Sequence, residues 1–225
     1  MNSIENNEVG IGAEKTGAYI PITLQEEFMN GMYSSVDKST AAGLERLRRE
    51  EGVTPSCELG CNHCCRHHIV ANTVEAHTLA QYVKREFSAE QVNDLETRTR
   101  RWHEWDNSRP GRDPSLSPGE PPDLSEYDHC CPLLVDGACS VYPVRPVVCR
   151  THYVSSDPLC CAATNDPVST EDAPVKLASV VAASRKSSSA IREHIEDSGL
   201  DYSRSKMLLP QWLAIKMGWD FALSQ

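Results

Sequence analysis

Aromatic residues are scarce, at 6% of the 225 residues, so the core must be built mainly from aliphatic side chains. Long apolar runs are missing as well. No stretch approaches the roughly 18–20 apolar residues that span a bilayer, so no membrane partner is expected. Positive charge is in deficit: 22 Lys and Arg stand against 32 Asp and Glu, for a formal net charge of −10. That balance argues against free duplex nucleic acid or an anionic lipid surface as partner. The first residues, MNSIENNEVGIGAEKTG, lack the basic and apolar regions of a secretory signal. Residues 1–18 read as a disordered leader and the protein as cytoplasmic. Cysteine is absent on both flanks; all ten cysteines lie between Cys57 and Cys161.

That confinement is the main signal. Disulfides are rare in a reducing cytosol, so clustered cysteines there point to metal or redox chemistry. Three vicinal pairs, Cys64–Cys65, Cys130–Cys131 and Cys160–Cys161, fit poorly in a disulfide framework, because adjacent cysteines close only a strained ring. In order, the pattern is Cys57-x3-Cys61-x2-Cys64-Cys65, a long gap, Cys130-Cys131, then Cys139, Cys149 and Cys160-Cys161. Thiolate suits zinc and the iron of sulfide clusters, and two cysteines separated by two residues can turn back on one metal. Eight cysteines complete two four-coordinate sites or one multinuclear cluster. Cys130 and Cys161, the outer members of their pairs, read as spares. His63, His67, His68, His129 and His152 lie near the cysteines as ligands, supporting donors or surface groups, with His129 and His152 the favoured pair. Arg66, Arg145 and Arg150 are placed to donate to sulfur.

The spacing C-x3-C-x2-C is also that of radical-SAM enzymes. In those enzymes a strand–helix alternation succeeds the motif, and here it does not. Helical stretches come next instead. Asn72-Thr-Val-Glu75 and Ser88-Ala-Glu-Gln91 have capping-box form, opening helices with Val74, Leu79, Val83 and Phe87 on one inner face and Val92, Leu95, Thr99 and Trp102 on the other. Upstream, Thr23 caps a helical stretch carrying Phe28, Met32, Val36, Leu44 and Leu47, either one helix interrupted at Gly31 or two, stopping near Gly52. Residues 108–125 hold five prolines and read as a spacer loop. Asp136-Gly137 between Leu133–Val135 and Ala138–Tyr142 predicts a hairpin that brings Cys131 and Cys139 together. Arg145-Pro146 then starts a short turn or helix carrying Cys149. Two C-terminal helices complete the chain, one over Leu177–Ile195 and one from Pro210 with Trp212, Ile215, Trp219 and Leu223 on a shared face. The fold expected is mainly α with a small β-hairpin, residues 19–225 forming a single helical domain around a cysteine core at 57–161, with the metal site between helices and loops.

CELGCNHCCR, the Asn-Thr-Val-Glu-Ala helix start and CPLLVDGACSVYPVRPVVCR together resemble the YkgJ-type cysteine-cluster family, described as zinc- or iron-chelating with eight characteristic cysteines. The resemblance implies Cys57, Cys61, Cys64, Cys65, Cys131, Cys139, Cys149 and Cys160 as metal ligands; Cys130 and Cys161 depart from the family pattern. Flagellin lysine-N-methylases are larger proteins with a similar cysteine domain, which points to an iron–sulfur cluster, a [4Fe–4S] cluster ahead of Zn²⁺. The function expected is a metal-binding protein of electron transfer, metal handling or structural support. The alternatives are a cluster-dependent protein-modifying enzyme related to those methylases, or a structural zinc module docking a protein partner through its C-terminal helix.

Overall fold

A computed structural model describes residues 22–58, 60–108, 130–162 and 172–223. The leader, the proline-rich segment beyond residue 108 and His129 lie outside the described residues.

Helix α1 runs without a break from Ile22 to Glu51. Met29, Tyr33, Val36, Thr40, Gly43 and Leu47 recur at three- and four-residue spacing and are buried, so tertiary packing outweighs the helix-weakening Gly31. Thr23 lies inside the helix rather than at its cap, and Gly52, at φ +66°, ends it. After the first cysteine group come β1 (Val70–Asn72) and α2 (Thr73–Glu86). The Asn72 box forms as predicted: Asn72 Oδ1 accepts from the N–H groups of Val74 (3.1 Å) and Glu75 (3.0 Å). The Ser88 box also forms, with Ser88 N–H donating to Gln91 Oε1 (2.8 Å) and Gln91 N–H to Ser88 Oγ (3.2 Å). It opens α3 (Ala89–Ser108).

The predicted hairpin is present as β2 (Leu134–Val135) and β3 (Ala138–Cys139). Asp136 and Gly137 both take positive φ, 48° and 79°, the geometry of a two-residue turn that matches strand twist. Arg145-Pro146 leads into α4 (Val147–Arg150), which carries Cys149, and α5 (Leu159–Ala162) carries Cys160 and Cys161. The predicted 177–195 helix is split at Ser184 into α6 (Ala178–Ala183) and α7 (Arg185–Asp197). Val180 and Leu177 pack with Leu47 in one small cluster, whereas Ile191 and Ile195 join the main core.

Two features depart from the sequence-based expectation. A second antiparallel pair joins β1 to β4 (Lys206–Leu208), with Val70 opposite Leu208 and Asn72 opposite Lys206. And α8 (Leu209–Met217) buries more than the predicted face: Trp212 and, beyond the helix end, Trp219 are buried as expected, but residues outside that face are buried as well. Leu209, Gln211, Trp212, Leu213 and Ala214 are all buried, while Ile215 is 36% exposed. The helix is short and packs against both α2 and α3, so it is enclosed over most of its girth. Trp212 Nε1 donates to Ala71 O at 3.1 Å, locking α8 to β1. Among the described residues, no helix is long and apolar enough to cross a membrane.

Candidate metal centre

The cysteines sit on short turns that the helices hold in place. Cys57 and Cys61 lie in the loop after α1, where Ser56 N–H donates to Val154 O at 2.9 Å. Cys64 and Cys65 lie on the single 3-10 turn His63–Arg66, closed by Cys65 N–H to Asn62 O (2.9 Å) and His67 N–H to Cys64 O (3.1 Å). The second half of the motif docks directly on this turn: Cys131 N–H donates to Cys65 O at 2.8 Å. From α3, Arg98 Nε donates to Pro132 O at 2.8 Å and holds the base of the hairpin. α5 packs against the same 3-10 turn, with His67 Nε2 2.9 Å from Cys161 O.

All ten cysteines are free thiols, and Cys160 and Cys161 are buried. Their mutual fields show how they are grouped. Cys161 feels Cys64, Cys57, Cys61 and Cys160; Cys57 feels Cys61 and Cys64. Cys65 feels Cys131 and Cys139 besides Cys64, and Cys149 feels Cys131, Cys64 and Cys139. Cys64 therefore stands where the two groups meet. The Cys65 thiol hydrogen-bonds to Cys64, holding Cys64 below the usual thiol range and Cys65 far above it. Burial is the largest cause elsewhere. It pushes Cys131 up to about 12 and Cys161 up to about 11, and raises Cys57, Cys139 and Cys149, with neighbouring sulfurs adding to each. Without a cation these thiols hold their protons, because burial penalises the thiolate and the neighbouring sulfurs add repulsion to it. A bound cation reverses that sign.

Donors are aimed at the sulfurs. The main chain of Leu133 hydrogen-bonds to the Cys131 sulfur and that of Val141 to Cys139, each two residues on, and Val154 serves Cys57 in the same way. Such N–H groups favour the anionic form of sulfur. The positive field of Arg145 acts on Cys64 and Cys139, and that of Arg150 on Cys139. The Arg145 guanidinium stacks on Tyr142 at 4.0 Å, and its buried Nε has no hydrogen-bond partner. Arg150, with a side chain 3% exposed, bonds Asp37 at 2.6 Å, the carbonyls of Arg145 (2.8 Å) and Pro143, and stacks on Tyr33. It pins the Cys149 turn to α1.

Of the histidines, His152 Nε2 lies 3.8 Å from Cys161 Sγ, and its ring meets His67 edge-on at 5.2 Å between centroids. Burial, with the neighbouring His67 and Lys176, lowers His152 to about 4, so it is a neutral ring. His68 packs on Trp105 instead.

The chemistry of the donor set fits a thiophilic metal or an iron–sulfur cluster: half-buried and buried thiols in mutual range, N–H donors on sulfur, and the half-buried Arg145 and buried Arg150 beside them. Among the described residues, no three His, Cys, Asp or Glu side chains already stand in metal-ligand geometry. The sulfurs lie within range of one another's charge without closing on a point. Sequence reasoning missed Glu75 as more than a helix cap. Its Oε1 accepts from Val147 N–H at 2.8 Å, a partner 72 positions away that no local pattern signals.

No curated protein and no solved structure matches this chain. Residues 56–160, just under half of the chain, match the model of the CxxCxxCC family, described as a "Putative zinc- or iron-chelating domain". The stretch that carries the grouped thiols is thus the one that is similar to this family's model.

Proposed function

We propose that this protein holds an iron–sulfur centre through two sets of four cysteines that share the Cys64–Cys65 turn. One set is Cys57, Cys61, Cys64 and Cys161; the other is Cys65, Cys131, Cys139 and Cys149. The observation that carries the reading is the docking of both later cysteine segments on the turn of Cys64 and Cys65: Cys131 N–H donates to Cys65 O at 2.8 Å, and α5 packs on the same turn with His67 Nε2 2.9 Å from Cys161 O. The mutual fields of the sulfurs agree with it. In this reading Cys161 takes the place that the family pattern gives to Cys160; its sulfur lies in the field of Cys57, Cys61 and Cys64. The family description supports zinc and iron alike. The unpartnered Arg145 Nε and the main-chain donors favour a centre with exposed anionic sulfur, which a sulfide-containing cluster presents in greater number than zinc does. When bound, such a centre supplies one-electron redox chemistry. Arg145, Arg150 and the main-chain donors to Cys57, Cys131 and Cys139 would compensate its negative charge and tune its potential.

The role implied is electron transfer or iron handling in the cytoplasm. A cavity beside the site, lined by His67, Trp102, Cys131, Leu209 and Pro210, has a volume of about 10 Å³, room for about one water. The C-terminal Trp212 of the partner-docking alternative is turned into the core. Anaerobic isolation followed by iron, zinc and acid-labile sulfide analysis and visible absorption tests the reading. Iron and sulfide in equal amounts with a broad band near the blue end of the visible support it. A colourless protein with stoichiometric zinc and no sulfide overturns it in favour of zinc.

A further inference from the structure

The first and second cysteine groups are joined by a buried carboxylate. Glu75 is 5% exposed and belongs to α2, the helix that is joined through β1 to the turn of Cys64 and Cys65. Its Oε2 accepts from Asn72 N–H (3.2 Å) and from Asn72 Nδ2 (2.7 Å). Its Oε1 accepts from Val147 N–H (2.8 Å), the first residue of the four-residue helix that carries Cys149. A helix cap on the protein surface needs no such reach. A carboxylate in this position is costly unless every lone pair facing the protein finds a donor, and three N–H donors answer it here. Glutamine has the same shape but presents one acceptor and one donor group. In its place, one side of the tie would set N–H against N–H. The Tyr33 ring, buried at 3% exposure, and the Arg150 guanidinium close the surroundings.

We propose that Glu75 is the positioning residue that fixes the distance between the two cysteine-bearing halves, by accepting the Val147 N–H ahead of Cys149 while capping the helix that succeeds Cys64 and Cys65. The inference rests on the metal-binding reading above. Glu75 touches no metal in this arrangement. It acts through the backbone of the Cys149 turn, as outer partners of metal ligands do elsewhere. Because the tie spans both halves, its loss misplaces ligands without unfolding either half.

The test uses the full-length, metal-free chain and Co²⁺ as the probe, with affinity read by chelator competition and geometry by the sulfur-to-cobalt charge-transfer band. Three variants separate the roles. Glu75→Gln breaks the tie from the acceptor side. Val147→Pro removes the donor at the first position of a helix, where proline fits, after a Pro146 already extended at φ −56°, ψ 155°. Asn72→Ala removes the α2 cap and leaves the Val147 bond. Glu75→Gln and Val147→Pro are expected to weaken Co²⁺ binding by about 10- to 100-fold and to alter the band. The double variant is expected to bind no worse than the weaker single one. Asn72→Ala is expected to lower the thermal midpoint of the metal-free chain and change affinity by less than about threefold, because the ligand tie is intact. Wild-type affinity and band in Val147→Pro, or equal losses in Asn72→Ala and Glu75→Gln, overturn the proposal while leaving the metal reading intact. A wild-type chain that binds no Co²⁺ overturns both. Should Glu75→Gln fail to fold, Val147→Pro decides the matter alone.

Discussion

Cys131 donates its main-chain N–H to the carbonyl of Cys65 at 2.8 Å, so the two halves of the cysteine pattern are joined at backbone level before any sulfur is considered. A backbone bond of this kind holds position without consuming a ligand. It leaves the sulfurs of Cys65 and Cys131 for the same centre, with the Cys65 sulfur in the field of Cys131.

The assignment of Cys161 rather than Cys160 makes a sharp prediction. Cys161→Ser removes one sulfur from the set with Cys57, Cys61 and Cys64, so the purified variant is expected to lose about half of its bound metal. Cys160→Ser is expected to retain the full content. Metal-to-protein ratios of the two variants, prepared side by side, check this. Equal losses, or loss in Cys160→Ser alone, would return the site to the family pattern.

The hairpin offers a test of the local geometry. Gly137 sits at φ +79°, and a Cβ there would meet only Asn62 Nδ2 at 3.5 Å, an ordinary contact. The cost of Gly137→Ala is therefore backbone strain rather than collision, about 1–2 kcal/mol. Gly137→Asn, which tolerates left-handed backbone, is expected to cost less. Chemical denaturation of the metal-free chain measures the order. A neutral Gly137→Ala would show that the turn is not held at positive φ.

What was legible in the sequence was local. Asn72 with Glu75, Ser88 with Gln91, Asp136-Gly137 and Arg145-Pro146 each carry their signal within four residues, and each forms as read. The cysteine spacing announced a metal-chelating domain for the same reason: chelating pairs are short-range. What failed was tertiary. Gly31 weakens a helix locally, but Met29, Tyr33 and Val36 are buried on either side of it and carry the helix through. Ile215 shares a helical face with the buried Trp212, yet it is left partly exposed while Leu213 and Ala214 are enclosed, because α8 packs between α2 and α3. The Glu75–Val147 bond and the closeness of Cys161 to Cys57 join residues that only the finished fold brings together.

Gly31 yields a stability prediction of its own. It lies in mid-helix with nothing within 4 Å of an added Cβ. Gly31→Ala removes the backbone freedom that glycine keeps in the unfolded chain and is expected to stabilise the protein by about 0.5–1 kcal/mol. A rise in the denaturation midpoint with unchanged slope is the expected reading. A fall would place an unseen contact at this position.

His103 makes the packing of α8 sensitive to acid. It is buried at 4% exposure, between the Trp102 and Phe221 rings, and its Nε2 lies 3.3 Å from Pro210 O, so Nε2 carries the proton of the neutral ring. Nδ1 is buried without a partner. Burial lowers the pKa of His103, opposed by the Pro210 carbonyl and by the charge of Asp106, which itself accepts from Gln211 Nε2 at 3.3 Å. A histidine whose folded pKa is depressed contributes stability above its unfolded value, and that contribution is lost as pH falls, because the unfolded chain binds the proton more readily. The loss begins below about pH 6.5, the ordinary histidine value. His67 and His152 are lowered in the same sense and add to it. Thermal unfolding of the metal-free chain between about pH 7.5 and 5.5 is therefore expected to show a falling midpoint. His103→Gln, which keeps a donor for Pro210 O and cannot take up the proton, is expected to flatten part of that fall. An identical slope in the variant would show that the α3–α8 contact does not respond to acid through this ring.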